Sequence, residues 1–192
     1  MKWLMAFLSS LIVVSASASA AFASGLAAET SIGQDEMAVY ETVLASWLEG
    51  GSDKQLVNEK LSAPPLASDP NLKECTDGLH FSQNASSALT QKTLAGVQFK
   101  RNGIQLIDGS RWNPNDPQQA ISKGESVDTA VKEGFSHSLI SFSQITFSDD
   151  RRDALVGFGM VCGSLCGSGA TMHLHSDGTR WEVVNRCRNW IS

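Results

Sequence analysis

Residues 139–192, LISFSQITFSDDRRDALVGFGMVCGSLCGSGATMHLHSDGTRWEVVNRCRNWIS, decide the fold. Four runs rich in β-branched and aromatic residues, 139–147, 154–162, 170–175 and 181–191, are separated by short polar breaks. Residues 149–153 read as a charged turn and Asp177-Gly178 as a tight hairpin. Consecutive strands joined this closely pair antiparallel, so the stretch predicts a four-strand meander. In the first run the apolar phase moves from Ile140 and Phe142 to Ile145 and Phe147. Side chains alternate with period two, so that shift predicts a β-bulge at Ser143-Gln144 and a curved sheet.

Between the second and third runs lie Cys162 and Cys166, interleaved with Gly163, Ser164 and Leu165. Fully extended, four residue steps hold two α-carbons about 13 Å apart, beyond the limit of about 7 Å for a disulfide. A bridge here needs the chain to fold back, and Gly163, Gly167 and Gly169 read as suppliers of the unusual backbone angles. Such a ring is worth about 2 kcal/mol in loop entropy, whereas Cys75 joined to Cys187 is worth about 5 kcal/mol. The preferred pairing is Cys162–Cys166 with Cys75–Cys187. Pairings of Cys162 or Cys166 with Cys75 remain open. A redox dithiol favours C-x-x-C at a helix N-terminus, and neither the spacing nor the setting fits. A thiol nucleophile at Cys166 needs a histidine base and an orienting group, and Leu165-Cys166-Gly167 does not match a nucleophile elbow.

His173 and His175 share one strand face, opposite Met172 and Leu174. The pair is a candidate zinc or copper site if His80, His137 or a carboxylate converges on it; a solvated polar face is the plainer reading. Asp149, Asp150 and Asp153 with Arg151 and Arg152 read as a solvated turn. Trp112, Trp181 and Trp190 are candidate groove residues, with strict alternation placing Trp181 and Trp190 on opposite faces.

Working towards the N-terminus, Met1-Lys2 followed by an apolar run and a small-residue track with A-x-A patterns reads as a cleaved signal peptide over residues 1–23. Residues 24–192 then form a single exported domain, periplasmic or secreted. Lys2 is the only charge in the segment, so cleavage takes the formal charge from -5 to -6. That acidity argues against nucleic acid as partner, and no later run is apolar and long enough for a stable membrane anchor. An even cysteine count in an exported chain fits a disulfide framework. Ser31 and Gln34 read as a capping box opening a helix, whose stripe is Met37, Tyr40, Leu44, Trp47 and Leu48 and whose stop is Gly50-Gly51. Short strands are expected over 56–61, 97–99 and 104–107, the last two as a hairpin. A second helix is expected over 82–94, and residues 109–134 read as a mobile polar region with a short helix near 127–132.

The ordered set 141–148, 154–156, Cys162-Gly163-Ser164-Leu165-Cys166-Gly167-Ser168-Gly169, Trp181-Glu182-Val183 and Trp190-Ile191-Ser192 resembles a group of exported bacterial proteins of unknown function. That group carries a C-G-x-L-C-G-x-G loop and ends in W-[IV]-S. The resemblance implies an exported α+β domain and no particular reaction; Cys75, Cys187, His173 and His175 stand outside its pattern. The expectation is therefore an α+β fold: an N-terminal helix and a second one packed on a curved antiparallel sheet that ends in the meander. The expected function is a non-catalytic binding or accessory domain of unknown ligand, stabilised by disulfides, with no catalytic set and no cofactor implied. The alternatives are a hydrolase or thiol enzyme using Cys166 or the His173/His175 pair, and a zinc- or copper-binding protein.

Overall fold

A computed structural model describes residues 32–48, 54–81 and 92–192. The segment read as a signal, Ser31, the Gly50-Gly51 stop and most of the helix expected over 82–94 lie outside the described residues.

The C-terminal third forms the four strands expected of it: β3 (Leu139–Phe147), β4 (Asp153–Gly163), β5 (Cys166–Ser176) and β6 (Trp181–Ile191). Each pairs antiparallel with the next. The sheet is nevertheless larger than a meander and not wholly antiparallel. It has six strands in the order β2-β1-β3-β4-β5-β6, with β1 (Gln55–Asn58) parallel to both β2 (Ile104–Ile107) and β3. The hairpin expected between 97–99 and 104–107 does not form. Parallel strands need long crossovers, and β2 and β3, which flank β1, are joined by one through α3 (Pro117–Ser122) and α4 (Val127–Ser136). The region expected to be mobile is thus built into helices. Asp116 caps α3 by accepting the Gln118 N–H, Pro117 occupies its first turn, and Ser126 caps α4 through the Thr129 N–H.

The front face of the sheet carries α1 (Gln34–Trp47). Its N-cap is Gly33, whose N–H donates to Glu36 at 2.9 Å, so the cap is one-sided, from the Glu36 carboxylate alone, and lies two residues beyond the expected Ser31/Gln34 pair. Val39, Tyr40, Val43 and Leu44 bury against Ile140, Phe142, Val156, Phe158, Met172 and Leu174. Tyr40 stacks obliquely on Phe142 at 5.1 Å and Trp47 on Phe158 at 4.7 Å. Each of these large side chains contributes about 1.5–3 kcal/mol on burial.

The bulge falls where the phase shift placed it, between Phe142 and Ile145. An extra residue leaves ladder groups unpaired, and each finds a partner. Ser143 O accepts the Tyr40 hydroxyl at 3.0 Å, Gln144 N donates to Ser62 O at 2.9 Å, and Ser62 N donates to Phe142 O at 3.0 Å. The bulge therefore fastens α1 on the front face and, by a parallel bridge along β3, the start of an arm, residues 62–81. That arm crosses the back face through a 3-10 turn (Pro70–Leu72) and the one-turn α2 (Lys73–Thr76). It seals a second, smaller core of Leu72, Cys75, Leu155 and Cys187, flanked by Ala67 and Phe81. Both preferred disulfides are present: Cys75–Cys187 with α-carbons 6.2 Å apart and Cys162–Cys166 at 5.1 Å.

A glycine-floored groove on the back face

The glycines around the short disulfide are present for space rather than for unusual torsions. Among the described residues the glycines with positive φ are Gly78, Gly96, Gly103, Gly124 and Gly178, and Gly163, Gly167 and Gly169 are not among them. What they supply is room. A β-carbon on Gly163 would press on the Asp116 carboxylate and Pro117. On Gly167 it would sit 3.2 Å from Cζ3 of Trp190; on Gly159, 3.2 Å from Cζ2; on Gly169 it would meet Nε1 and Cε2 of the same ring. These three glycines occupy alternate positions on the paired strands β4 and β5, so their missing side chains all face the same way. The Trp190 indole therefore lies along the sheet, one face on bare backbone and the other outward, with the residue 42% exposed.

Trp190 reaches this face because β6 is not a regular strand. It carries two register shifts against β5, one beside Leu174 and one between Gly169 and Thr171. At the second, Arg188 adopts φ 51°, a left-handed conformation that costs a non-glycine residue about 1–2 kcal/mol. Cys187 opposite Thr171 and Trp190 opposite Gly169 are an odd number of residues apart. The extra residue at Arg188 is what lets both face the back. Trp181, beyond the other shift, packs with Phe147 at 5.8 Å on the front, so the two tryptophans do lie on opposite faces.

Beside Trp190 runs an open groove in two continuous parts. One, about 330 Å³, is lined by Ser141, Ser143, Gly157, Gly159, Thr171, Arg188 and Trp190; the other, about 520 Å³, adds the arm residues Pro64, Pro65, Leu66, Ser68 and Asp69. Ser62, Ser143, Gly157, Thr171 and Arg188 belong to both. Arg188 Nη1 donates to Asp69 Oδ2 at 3.0 Å. Asp69 is held below the ordinary carboxylate range, first by the Asn71 backbone N–H and more weakly by the Asn71 amide and Arg188. Volumes of this order fit small ligands.

The cysteine loop and the closing Trp190-Ile191-Ser192 of the resembled motif meet at the same place. Ser192 N donates to Gly167 O at 2.9 Å, pinning the C-terminus beside the loop closed by Cys162 and Cys166. Ser164 donates through both its N–H and its hydroxyl to Asp116 Oδ2, fastening that loop to the start of α3. Ser164 in turn is the chief cause of a lowered Asp116 carboxyl.

His173 and His175 share the back face as expected, but not as a solvated pair. Asp153 Oδ1 lies 2.8 Å from His173 Nε2 and 3.0 Å from His175 Nδ1. The His173 side chain is 13% exposed and that of Asp153 10%, so Asp153 belongs to the buried surface and not to the solvated turn assigned to it. Its own N–H donates to the Ser148 hydroxyl at 2.9 Å. His80 and His137 are exposed, and His137 bonds within α4 and to Asn115 instead. Among the described residues no group of three or more His, Cys, Asp or Glu is arranged to hold a metal ion. Trp112 donates to His137 O at 2.9 Å, away from the groove. All four cysteines are bonded, so Cys166 presents no thiol in this state. No helix among the described residues is long and apolar enough to cross a membrane.

Sequence reading missed Arg188, Asp69 and the serine row. The glycine floor did leave a signal: Gly157 and Gly159 on one strand, Gly167 and Gly169 on the next, each two residues apart. No family model, curated protein or solved structure matches the chain.

Proposed function

We propose that this chain is an exported, non-catalytic binding domain, held together by its two disulfides, whose ligand lies in the back-face groove. The observation that carries the reading is the outward-facing Trp190 indole seated on glycines beside an open groove. Core tryptophans are covered, whereas this one is presented on a rigid floor at the cost of side chains on both strands beneath it. Two bridges support an oxidising location. The segment 1–23 supports export, and the adjacency of the cysteine loop to Trp190-Ile191-Ser192 supports kinship with the exported bacterial group.

The test is chemical-shift mapping of the oxidised protein against separate polysaccharide, peptide and lipid fractions of a bacterial envelope. Perturbations are expected on Ser141, Gly157, Gly159, Thr171, Arg188 and Trp190. Perturbations confined to other surfaces, or none with any fraction, overturn the groove reading. N-terminal sequencing of protein recovered from the producing cell is expected to begin near residue 24; a chain retaining Met1 refutes the export reading.

A further inference from the structure

Resting on the groove reading above, we infer that the ligand is a neutral saccharide, one pyranose ring of which stacks on Trp190 while neighbouring hydroxyls bridge Arg188 and Asp69.

Three observations lead there. The first is the shape of the aromatic surface. The indole lies along the sheet with one whole face free, a platform rather than a slot. An indole face is electron-rich and attracts the weakly positive C–H bonds that line one side of a pyranose. A platform of this kind suits a flat ring with polar edges.

The second is charge. Arg188 enters the groove already paired with Asp69, and Asp69 stays ionised because the Asn71 N–H and its other partners hold it so. The pair is neutral as a unit, and the remaining named lining of the Trp190 end is serine, threonine and glycine with two core phenylalanines and an alanine beneath. An anionic ligand would have to displace Asp69 from Arg188 or lie beside a carboxylate. A vicinal diol fits the pair directly: one hydroxyl accepts from the guanidinium and the next donates to the carboxylate.

The third is the backbone at Arg188. A left-handed residue is needed at the bulge to turn Trp190 onto the back face, and glycine fills that position without strain. An arginine there carries a conformational cost that its exposed ion pair, worth little on a surface, does not offset. A role in recognition accounts for the choice of side chain at a position where the backbone favours none.

The experiment uses the oxidised full-length domain with maltohexaose, cellohexaose and chitohexaose as neutral probes. A galacturonate hexamer and an uncharged decapeptide serve as the competing classes. Binding is read by the Trp190 indole N–H resonance and by titration calorimetry. At least one neutral hexasaccharide is expected to bind saturably, with an affinity changing less than about twofold between about 50 and about 500 mM NaCl. Trp190→Ala is expected to weaken it at least about tenfold, and Trp190→Phe to retain most of it. Arg188→Gly keeps the bulge, leaves thermal stability equal or higher, and weakens binding about tenfold. This variant guards against a Trp190→Ala protein that simply fails to fold. Binding of the galacturonate hexamer or the peptide in preference to all three neutral probes overturns the inference, as does saccharide binding that Arg188→Gly leaves intact. If no neutral probe binds while an envelope fraction still perturbs the groove, the saccharide assignment falls and the groove reading stands. If neither perturbs it, both fall.

Discussion

Replacing Gly169 by alanine tests the packing that defines the groove. A β-carbon at this position would stand 2.5 Å from the Phe158 carbonyl oxygen, and would also meet Nε1 and Cε2 of Trp190. The two contacts differ in kind. The indole is at the end of a side chain and can tilt away, whereas the Phe158 carbonyl belongs to the β4 backbone, where Phe158 is paired with Ala170. Relief therefore requires β4 and β5 to separate locally. Overpacking of a tight site costs about 1–3 kcal/mol, and a fixed backbone neighbour places this substitution at the upper end, about 3 kcal/mol. For a domain of this size that lowers Tm by about 6–12 °C. Gly159→Ala is the matched control. Its β-carbon meets Cζ2 of the same ring at 3.2 Å and the nearest backbone atom only at 3.9 Å, so a small tilt suffices and the cost is about 0.5–1 kcal/mol. Urea unfolding followed by far-UV circular dichroism measures both. Adding Trp190→Ala is expected to rescue Gly159→Ala fully and Gly169→Ala only in part, a difference that a double-mutant cycle resolves. A Gly169→Ala protein within about 0.5 kcal/mol of the parent would refute the seated-indole geometry. So would a Gly159→Ala protein that loses as much as its neighbour.

Other outcomes follow from the same structure. Tyr40→Phe removes the donor to Ser143 O at the buried bulge and is expected to cost about 1–3 kcal/mol, with the near-UV spectrum otherwise retained; a loss below about 0.5 kcal/mol counts against that role. Cys75→Ala with Cys187→Ala is expected to destabilise by about 5 kcal/mol and Cys162→Ala with Cys166→Ala by about 2 kcal/mol, by loop entropy. Equal losses in chemical denaturation contradict this. Asp153→Ala strips the shared acceptor from His173 and His175 and is expected to cost about 2 kcal/mol, more than His175→Ala, whose ring is the more exposed. Asp108 and Asp177 are held at about 2, the first chiefly by the Lys60 ammonium and the second by the Thr179 hydroxyl. Depressed carboxyls stabilise above their unfolded value of 3.8 and lose that contribution as pH falls towards 2. The urea midpoint is therefore expected to drop between about pH 4 and pH 2, and Asp177→Asn to flatten the drop; an unchanged midpoint rejects the linkage.

The legible parts of this fold were those where local pattern and tertiary role coincide. The phase shift across Ser143-Gln144 announced a bulge because one face of β3 must meet α1, and only an extra residue keeps Ile145 and Phe147 on it. The parallel pairing of β1 with β2 and β3 had no such signature. Four-residue strands lack the length to show which neighbour they choose, and nothing in residues 55–58 or 104–107 marks them as a parallel pair. The glycines of the cysteine loop were read as torsional because glycine-rich turns commonly are. The space they leave is demanded by residues remote in sequence, Asp116 and Pro117 against Gly163 and the Trp190 indole over Gly167 and Gly169. Asp153 was taken for part of a solvated turn because it follows two arginines, although it is the first residue of β4 and faces inward with period two. Arg188 could not be singled out at all, since nothing local marks a left-handed arginine within a strand.

The nesting of the bridges has a consequence for biogenesis. In an exported chain, as proposed above, the cysteines meet an oxidant in the order 75, 162, 166 and 187, so joining them as they arrive makes 75–162 and 166–187, neither of which is native. The correct outer link waits until β6 has been made and docked. Until it closes, the arm carrying Pro64 to Asp69 has no covalent hold on the sheet whose groove it walls. Closure of the groove wall thus depends on Cys75 finding Cys187 rather than an earlier cysteine, and a chain trapped as 75–162 and 166–187 would keep the arm unpinned until thiol–disulfide exchange corrected it.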